Sequence, residues 1–163
     1  FVHARAISPF VPMARWPEVV GEMARVTRRG GLIELVDLYQ LPQTRSPSFM
    51  QLFQLPQALM AKRGLHVGGV GDALRDYLQQ AGIQRIQQRH FVLGQGRTPS
   101  ETQRQQRLLA VDLLAALANF KSIAAQHLGV PAEEFDRLHE QAKKEVAQLG
   151  LVMPVVFCFG MKL

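Results

Sequence analysis

Two short segments carry polar side chains where a strand is predicted to end. The segment FVHAR ends on His3 and Arg5, and the segment LIELVDLY ends on Asp37 and Tyr39. In doubly wound sheets, ligands bind at the carboxyl ends of the strands, so these side chains are candidates for a binding site. Asp37 is a candidate general base, a role that requires apolar surroundings, and Tyr39 is a candidate to orient a substrate hydroxyl. The alternatives are a solvated strand-end acid or turn cap for Asp37, and ordinary packing for Tyr39.

Large apolar side chains follow both segments and are candidates to contact a substrate. Those after the first segment would wall the substrate side, and those of the helix predicted over 47–62 resemble a lid over an apolar acceptor. Ordinary core packing is the alternative for both groups. The candidates are Phe10, Met13 and Trp16 in the first group, and Met50, Phe53 and Met60 in the second.

A third set of residues is reactive by type. His66 lies in the glycine-rich stretch GLHVGGVG, where a hinge would bring it over the site, although a lone histidine is more often structural. The other histidines lack the spacing of metal ligands, so no metal site is predicted. The single cysteine, Cys158, lies between two phenylalanines and is predicted to be a buried strand residue without a disulfide. One thiol is typical of a reducing cytoplasm.

Hydrophobic periodicity and turn residues predict an α/β fold that positions these side chains. Gly30 is predicted to reverse the chain in a left-handed cap, and the glutamines of the third strand favour a sheet edge. Ser100 with Gln103 resembles a capping box. The predicted strands are 1–5, 32–38, 83–93 and 152–163, and the predicted helices are 16–29, 47–62, 72–81, 100–127 and 131–149.

The charge of the chain restricts its partners. Lys and Arg number 19 against 13 acids, which gives a formal net charge of +6. The basic residues are scattered and are not interleaved with aromatic ones, which favours a solvated surface over a nucleic-acid footprint. An apolar run of the roughly 18 residues that a membrane span requires is absent from the sequence, so no membrane is predicted as a partner.

Four segments resemble the later strands of class I S-adenosylmethionine-dependent methyltransferases. The string WPEVVGEMARVTRRGGLIELVD is similar to the family's Trp, its E-x-x-R-V helix, its P-G-G turn and its fifth strand, with Arg29 in place of Pro. FVHAR resembles the end of the fourth strand, and AGIQRIQQRHFVLGQG resembles the sixth, with Ile83 in place of Phe. VMPVVFCFGMKL resembles the seventh strand, which in this family runs antiparallel between the fifth and the sixth.

The resemblance implies the C-terminal half of a Rossmann-like sheet, strands four to seven. It implies one partial domain over 1–163, with a helical insertion at 100–150. It also implies S-adenosylmethionine as cofactor, with His3, Ala4 and Arg5 beside its methionine part. The family's glycine-rich loop and ribose-binding acid are not found in the sequence. The expectation is that they precede Phe1, so that the full-length protein binds the cofactor and these 163 residues alone do not.

The predicted function is therefore methyl transfer to a small, fairly apolar molecule. The alternative is a catalytically inactive methyltransferase-like module in which 100–150 is an interaction or dimerisation surface. A third reading, an RNA methyltransferase, rests on the basic charge alone and predicts salt-dependent RNA binding. The sheet edge at FVHAR predicts a homodimer if these residues stand alone.

Overall fold

A computed structural model describes residues 1–65 and 70–163 of the chain. In this part the chain forms one sheet and six helices, joined by short loops and two 3-10 turns at Met13–Arg15 and Gly71–Ala73. The strands are β1 (Val2–Arg5), β2 (Leu32–Leu38), β3 (Gln84–Leu93) and β4 (Met153–Met161). The helices are α1 (Trp16–Val26), α2 (Pro47–Ala61), α3 (Leu74–Gln80), α4 (Pro99–Ala118), α5 (Lys121–Leu128) and α6 (Ala132–Leu149).

The sheet has the order β1-β2-β4-β3, and β4 therefore lies between two strands that precede it in the chain. β1 runs parallel to β2, with Val2 opposite Ile33 and Arg5 opposite Val36. β4 runs antiparallel to β2 along its whole length. The position and direction predicted for the last strand are confirmed, and so is the edge position predicted for β3.

β3 and β4 also run in opposite directions. A Cβ placed on Gly160, near the end of β4, would lie 3.0 Å from the carbonyl oxygen of Gln84, at the start of β3. Towards the end of β3, the ring of Phe91 meets that of Phe157 edge-on, with centroids 5.2 Å apart. The last strand is thus antiparallel to both of its neighbours.

The junction between α1 and β2 follows the predicted pattern, with one correction. Gly30 has a φ of +74°, the left-handed conformation expected at this turn. The helix predicted over 16–29 ends at Val26, because the hydroxyl of Thr27 donates to Met23 O at 2.7 Å and the backbone of Thr27 is extended. The ammonium group of Lys162 donates to Ala24 O and Thr27 O, which satisfies carbonyls that the end of α1 leaves open.

The chain divides into two compact units. The first comprises Phe1–Leu41, Arg63–Phe91 and Pro154–Leu163, and its core packs α1 and α3 against the sheet. The side chains buried in that core include Trp16, Val20, Ile33, Leu35, Leu74, Leu78, Val156 and Cys158. The second unit comprises Pro42–Lys62 and Val92–Met153, and in it α2 packs against α4, α5 and α6. The second unit thus contains α2 as well as the helices of the insertion predicted at 100–150. That residues 1–163 form a single domain stays a prediction.

The single long helix predicted over 100–127 is wrong. α4 and α5 are separate helices, and the chain bends by 47° between them. Asn119 causes part of this break, because its side-chain amide donates to Ala115 O at 3.3 Å and so competes with the helical backbone. The predicted cap is also displaced: Thr98, not Ser100, caps α4 by accepting a hydrogen bond from the amide of Glu101.

None of the helices in the described residues is by itself long and apolar enough to cross a bilayer. α4 and α5 taken together reach that length and composition, a result that core helices of soluble proteins also give.

Within the second unit, the carboxylate of Glu145 connects α6 to the start of α2. Glu145 on α6 accepts hydrogen bonds from the hydroxyl of Ser46 at 2.7 Å, from the amide and hydroxyl of Ser48 at 3.1 and 2.9 Å, and from Gln141 at 2.9 Å. Ser46 is buried and its hydroxyl in turn caps α2 by accepting from the amide of Phe49. The hydrogen bond from Ser46, followed by that from Gln141, lowers the pKa of Glu145 to about 2.

Glu145→Gln is therefore expected to lower the thermal midpoint near neutral pH and to flatten its acid dependence. Because the folded pKa lies below the ordinary value of 4.5, the ionised carboxylate stabilises the fold fully above pH 4.5, and this stability is lost as the pH falls towards 2. Thermal unfolding followed by circular dichroism at pH values between about 3 and 7 measures this difference. Glu140→Gln, an exposed change on the same helix, is the control, and equal pH profiles for the wild type and Glu145→Gln would refute the assignment.

Candidate functional site

The carboxyl ends of β1 and β2 lie side by side, as predicted. The parallel register places Arg5 opposite Val36, and the amide of Ala6 donates to Val36 O at 2.8 Å. Asp37 therefore lies directly beside the point where the chain leaves β1. This edge of the sheet is the place where ligands bind in open α/β folds.

Asp37 is buried, with 4% of its surface exposed, and both of its carboxylate oxygens are occupied. Oδ1 accepts from the hydroxyl of Ser8 at 2.6 Å and from the amide of Leu38 at 2.8 Å, and Oδ2 accepts from the amide of Ser8 at 3.0 Å. These contacts tie the loop after β1 to the end of β2. They favour a positioning role for Asp37, and its role as a general base stays a prediction.

Ser8 is a site residue that the sequence analysis missed. It is buried to 1% exposure, and its two donors both serve Asp37. Its signal in the sequence is the Ser8-Pro9 pair directly after a strand, which is typical of a side-chain-stabilised turn. Ala6 precedes it with a φ of +52°, a conformation that residues other than glycine seldom adopt. The hydrogen bond from the amide of Ala6 to Val36 O and those from Ser8 to Asp37 hold this strained conformation in place.

Tyr39 directly follows β2 and meets a residue that is distant in sequence. Its ring lies against that of His90 on β3, with centroids 4.4 Å apart and a tilt of 48°. Its backbone is held from two sides: its amide donates to Pro154 O at 3.1 Å, and Gly71 approaches so closely that a Cβ there would lie 2.9 Å from Tyr39 Cα. A phenol and an imidazole thus share one surface, and the substrate role predicted for Tyr39 stays a prediction.

The residues predicted to contact the cofactor lie along β1, which is the last strand on its side of the sheet. The imidazole of His3 lies 2.9 Å from the carboxylate of Glu34, its partner on β2. Ala4 is half-buried and packs against the core of the first unit, whereas Arg5 is exposed. His3 and Arg5 are thus both exposed, and of the two Arg5 lies at the end of the strand.

The three apolar residues predicted to wall the substrate differ in exposure. Phe10 is 78% exposed, and Met13 is half-buried beside the core. Trp16 is 1% exposed and stacks on Tyr77 at 5.8 Å, which makes it a core residue of the first unit. The loop that carries Phe10 and Met13 is pinned by the amide of Met13, which donates to Gly64 O at 3.3 Å.

The residues of the predicted lid belong to the second unit. Phe53 is buried and stacks on Phe49 at 5.9 Å, so it packs in the core of that unit. Met50 and Met60 are half-buried on α2. Their contact with a substrate stays a prediction, and His66 lies outside the described residues.

The described residues give little support for thiol chemistry or for a metal site. Cys158 is buried, as predicted, and burial raises the pKa of its thiol to about 11, which disfavours the reactive thiolate form. Within 1–65 and 70–163, no three His, Cys, Asp or Glu side chains are grouped to hold a metal ion.

Comparison with known proteins found similar solved structures. No protein-family model and no curated protein matches the sequence. A solved structure that is similar is that of Haemonchus contortus phospholethanolamine N-methyltransferase 2 in complex with phosphomonomethylethanolamine and S-adenosylhomocysteine. The match has 13% identity and a TM-score of 0.47, and it covers 99% of this chain but only 32% of that one. A likeness of this degree assigns neither a family nor an activity by itself.

Proposed function

We propose that this chain is the C-terminal half of an S-adenosylmethionine-dependent methyltransferase domain that acts on a small, fairly apolar molecule. In this proposal β1, β2, β3 and β4 are strands four, five, six and seven of the Rossmann-like sheet. The supporting observation is the position of β4, which runs antiparallel between β2 and β3 although it comes last in the chain. The E-x-x-R-V helix and the glycine turn that precede β2 agree with that numbering.

In this proposal the end of β1 forms one side of the cofactor site. The exposed guanidinium of Arg5 would bind the carboxylate of the methionine part, and Ala4, next to it on β1, would lie beside the cofactor. The backbone that carries them is held in place by the Ser8–Asp37 hydrogen bonds. The glycine-rich loop and the acid for the ribose are not in the printed sequence, so other residues of the domain would supply them.

Methyl transfer demands positioning more than proton chemistry. The bound cofactor would supply an electrophilic methyl group, and the protein would hold the acceptor in line with it and exclude water. Phe10 and Met13 offer apolar contact for such an acceptor at the same end of the sheet. Tyr39, fixed against His90, would orient a polar group of the acceptor.

The proposal is tested by titrating S-adenosylhomocysteine into the complete protein that contains this sequence. Calorimetry is expected to give a micromolar Kd, and Arg5→Ala is expected to weaken binding by about tenfold, because it removes a charge-assisted contact. Arg28→Ala is the matched control, since Arg28 is an exposed arginine near the amino end of β2 and should bind as the wild type does. Absence of binding by the wild type would refute the cofactor assignment and favour the inactive interaction module.

A further inference from the structure

We propose that the groove between α4 and α6 binds an acidic amphipathic helix of a partner protein. The groove has a volume of about 790 Å³ and lies wholly within the second unit. α4 supplies one wall from Ser100 to Leu114, and α6 with Gly150 supplies the other. The inference is independent of methyl transfer, because it uses none of the residues at the ends of β1 and β2.

The positive charge of the groove favours an occupant that carries negative charge. Its lining includes the cations Arg104, Arg107 and Lys143, and no Asp or Glu is found among the described residues that line it. Glu140, outside the lining, approaches Lys143 to 3.6 Å, but this pair is exposed and weak. Three cations on a concave surface create a positive potential that is complementary to an acidic segment.

The floor and lip of the groove are apolar. Ala110, Leu114 and Val146 form a floor in which each side chain is less than a tenth exposed. On the lip, Val111 is 61% exposed; Leu108, outside the lining but one turn away on α4, is 58% exposed. Two large apolar side chains adjacent on one helix face are the pattern by which one helix packs on another.

The dimensions of the groove favour a helix. From Ser100 to Leu114, α4 rises about 21 Å at 1.5 Å per residue, which matches four turns of a partner helix of about 14 residues. A concave surface between two helices accommodates a third helix better than it does a flat bilayer. A second copy of this chain is disfavoured by the formal net charge of +6 on each copy.

The test uses the complete protein that contains this sequence and three labelled 18-residue synthetic peptides. The first carries a leucine stripe at helical spacing flanked by glutamates. The second has lysines in place of the glutamates, and the third has the composition of the first with the leucines spread around the helix. Fluorescence anisotropy is expected to show binding of the first peptide alone with a Kd below about 100 μM, and this binding should weaken with added salt.

Protein variants locate the binding. Lys143→Glu and the double change Arg104→Glu with Arg107→Glu are each expected to weaken binding of the first peptide by about tenfold or more. Lys144→Glu is the matched control, because it makes the same charge change at the next position of α6, outside the groove, and should leave the Kd unchanged within about twofold. Circular dichroism verifies that every variant is folded.

Three results would overturn the proposal. The first is an effect of Lys144→Glu equal to that of Lys143→Glu, which would indicate non-specific charge attraction. The second is equal binding of the peptide with dispersed leucines. The third is failure of all peptides to bind, while vesicles of phosphatidylcholine and phosphatidylglycerol bind in a manner that depends on Arg104 and Arg107; that result would assign the surface to a membrane.

Discussion

Asp37→Ala is expected to lower the free energy of unfolding by about 2–4 kcal/mol, because it removes the acceptor for three hydrogen bonds at a buried position. The change leaves the amide and hydroxyl of Ser8, which is 1% exposed, without their partner. Urea unfolding followed by tryptophan fluorescence measures the loss, since Trp16 lies in the core of the same unit.

Ser8→Ala separates the contribution of the hydroxyl from that of the carboxylate. It removes the 2.6 Å hydrogen bond but keeps the one from the amide, so a smaller loss of about 1–2 kcal/mol is expected. The double variant should lose less than the sum of the two single changes, because both act on one contact. Asp37→Ala with the stability of the wild type, or additive losses in the double variant, would show that the Ser8–Asp37 link does not hold the loop.

Gly71→Ala is expected to destabilise the first unit by about 1–3 kcal/mol through overpacking. A Cβ at Gly71 would lie 2.8 Å from Val156 Cγ1, 2.9 Å from Tyr39 Cα and 3.1 Å from Leu38 O. Two of these atoms belong to the backbone at the end of β2, which cannot move aside as a flexible side chain can. The same substitution should therefore shift Tyr39, which is observable as a change in the chemical shifts of its ring and of the His90 ring.

Gly21→Ala, in the same unit, is expected to have the opposite effect and to increase the free energy of unfolding. Gly21 lies inside α1, and nothing lies within 4 Å of a Cβ placed there. Alanine should stabilise the helix by about 0.5–1 kcal/mol, because it restricts the unfolded chain and has the higher helix propensity. Equal effects of Gly71→Ala and Gly21→Ala on the urea midpoint would contradict the close approach at Gly71.

Local patterns in the sequence were sufficient to predict most of the elements. The order of apolar residues and the glycine after α1 located β2 correctly, because strand formation and chain reversal depend on neighbouring residues. The prediction of one helix over 100–127 failed, because hydrophobic periodicity alone does not reveal that the chain breaks into two helices at Asn119. The position of β4 was also predicted, but from a resemblance of whole segments and not from the residues of β4 alone.

The sequence by itself determined that this is an α/β chain in which polar residues end two adjacent parallel strands and in which Cys158 is buried. Only the tertiary structure decided what those polar residues contact. The partners of Asp37 and Tyr39 are Ser8, 29 positions away, and His90 on another strand. Such contacts depend on strand order and on the close approach of backbones, and the packing of the whole sheet sets both. They therefore produce no periodic pattern of residues from which they could be predicted. For the same reason the basic groove between α4 and α6 is found only after folding, because scattered cations become one surface when two helices pack together.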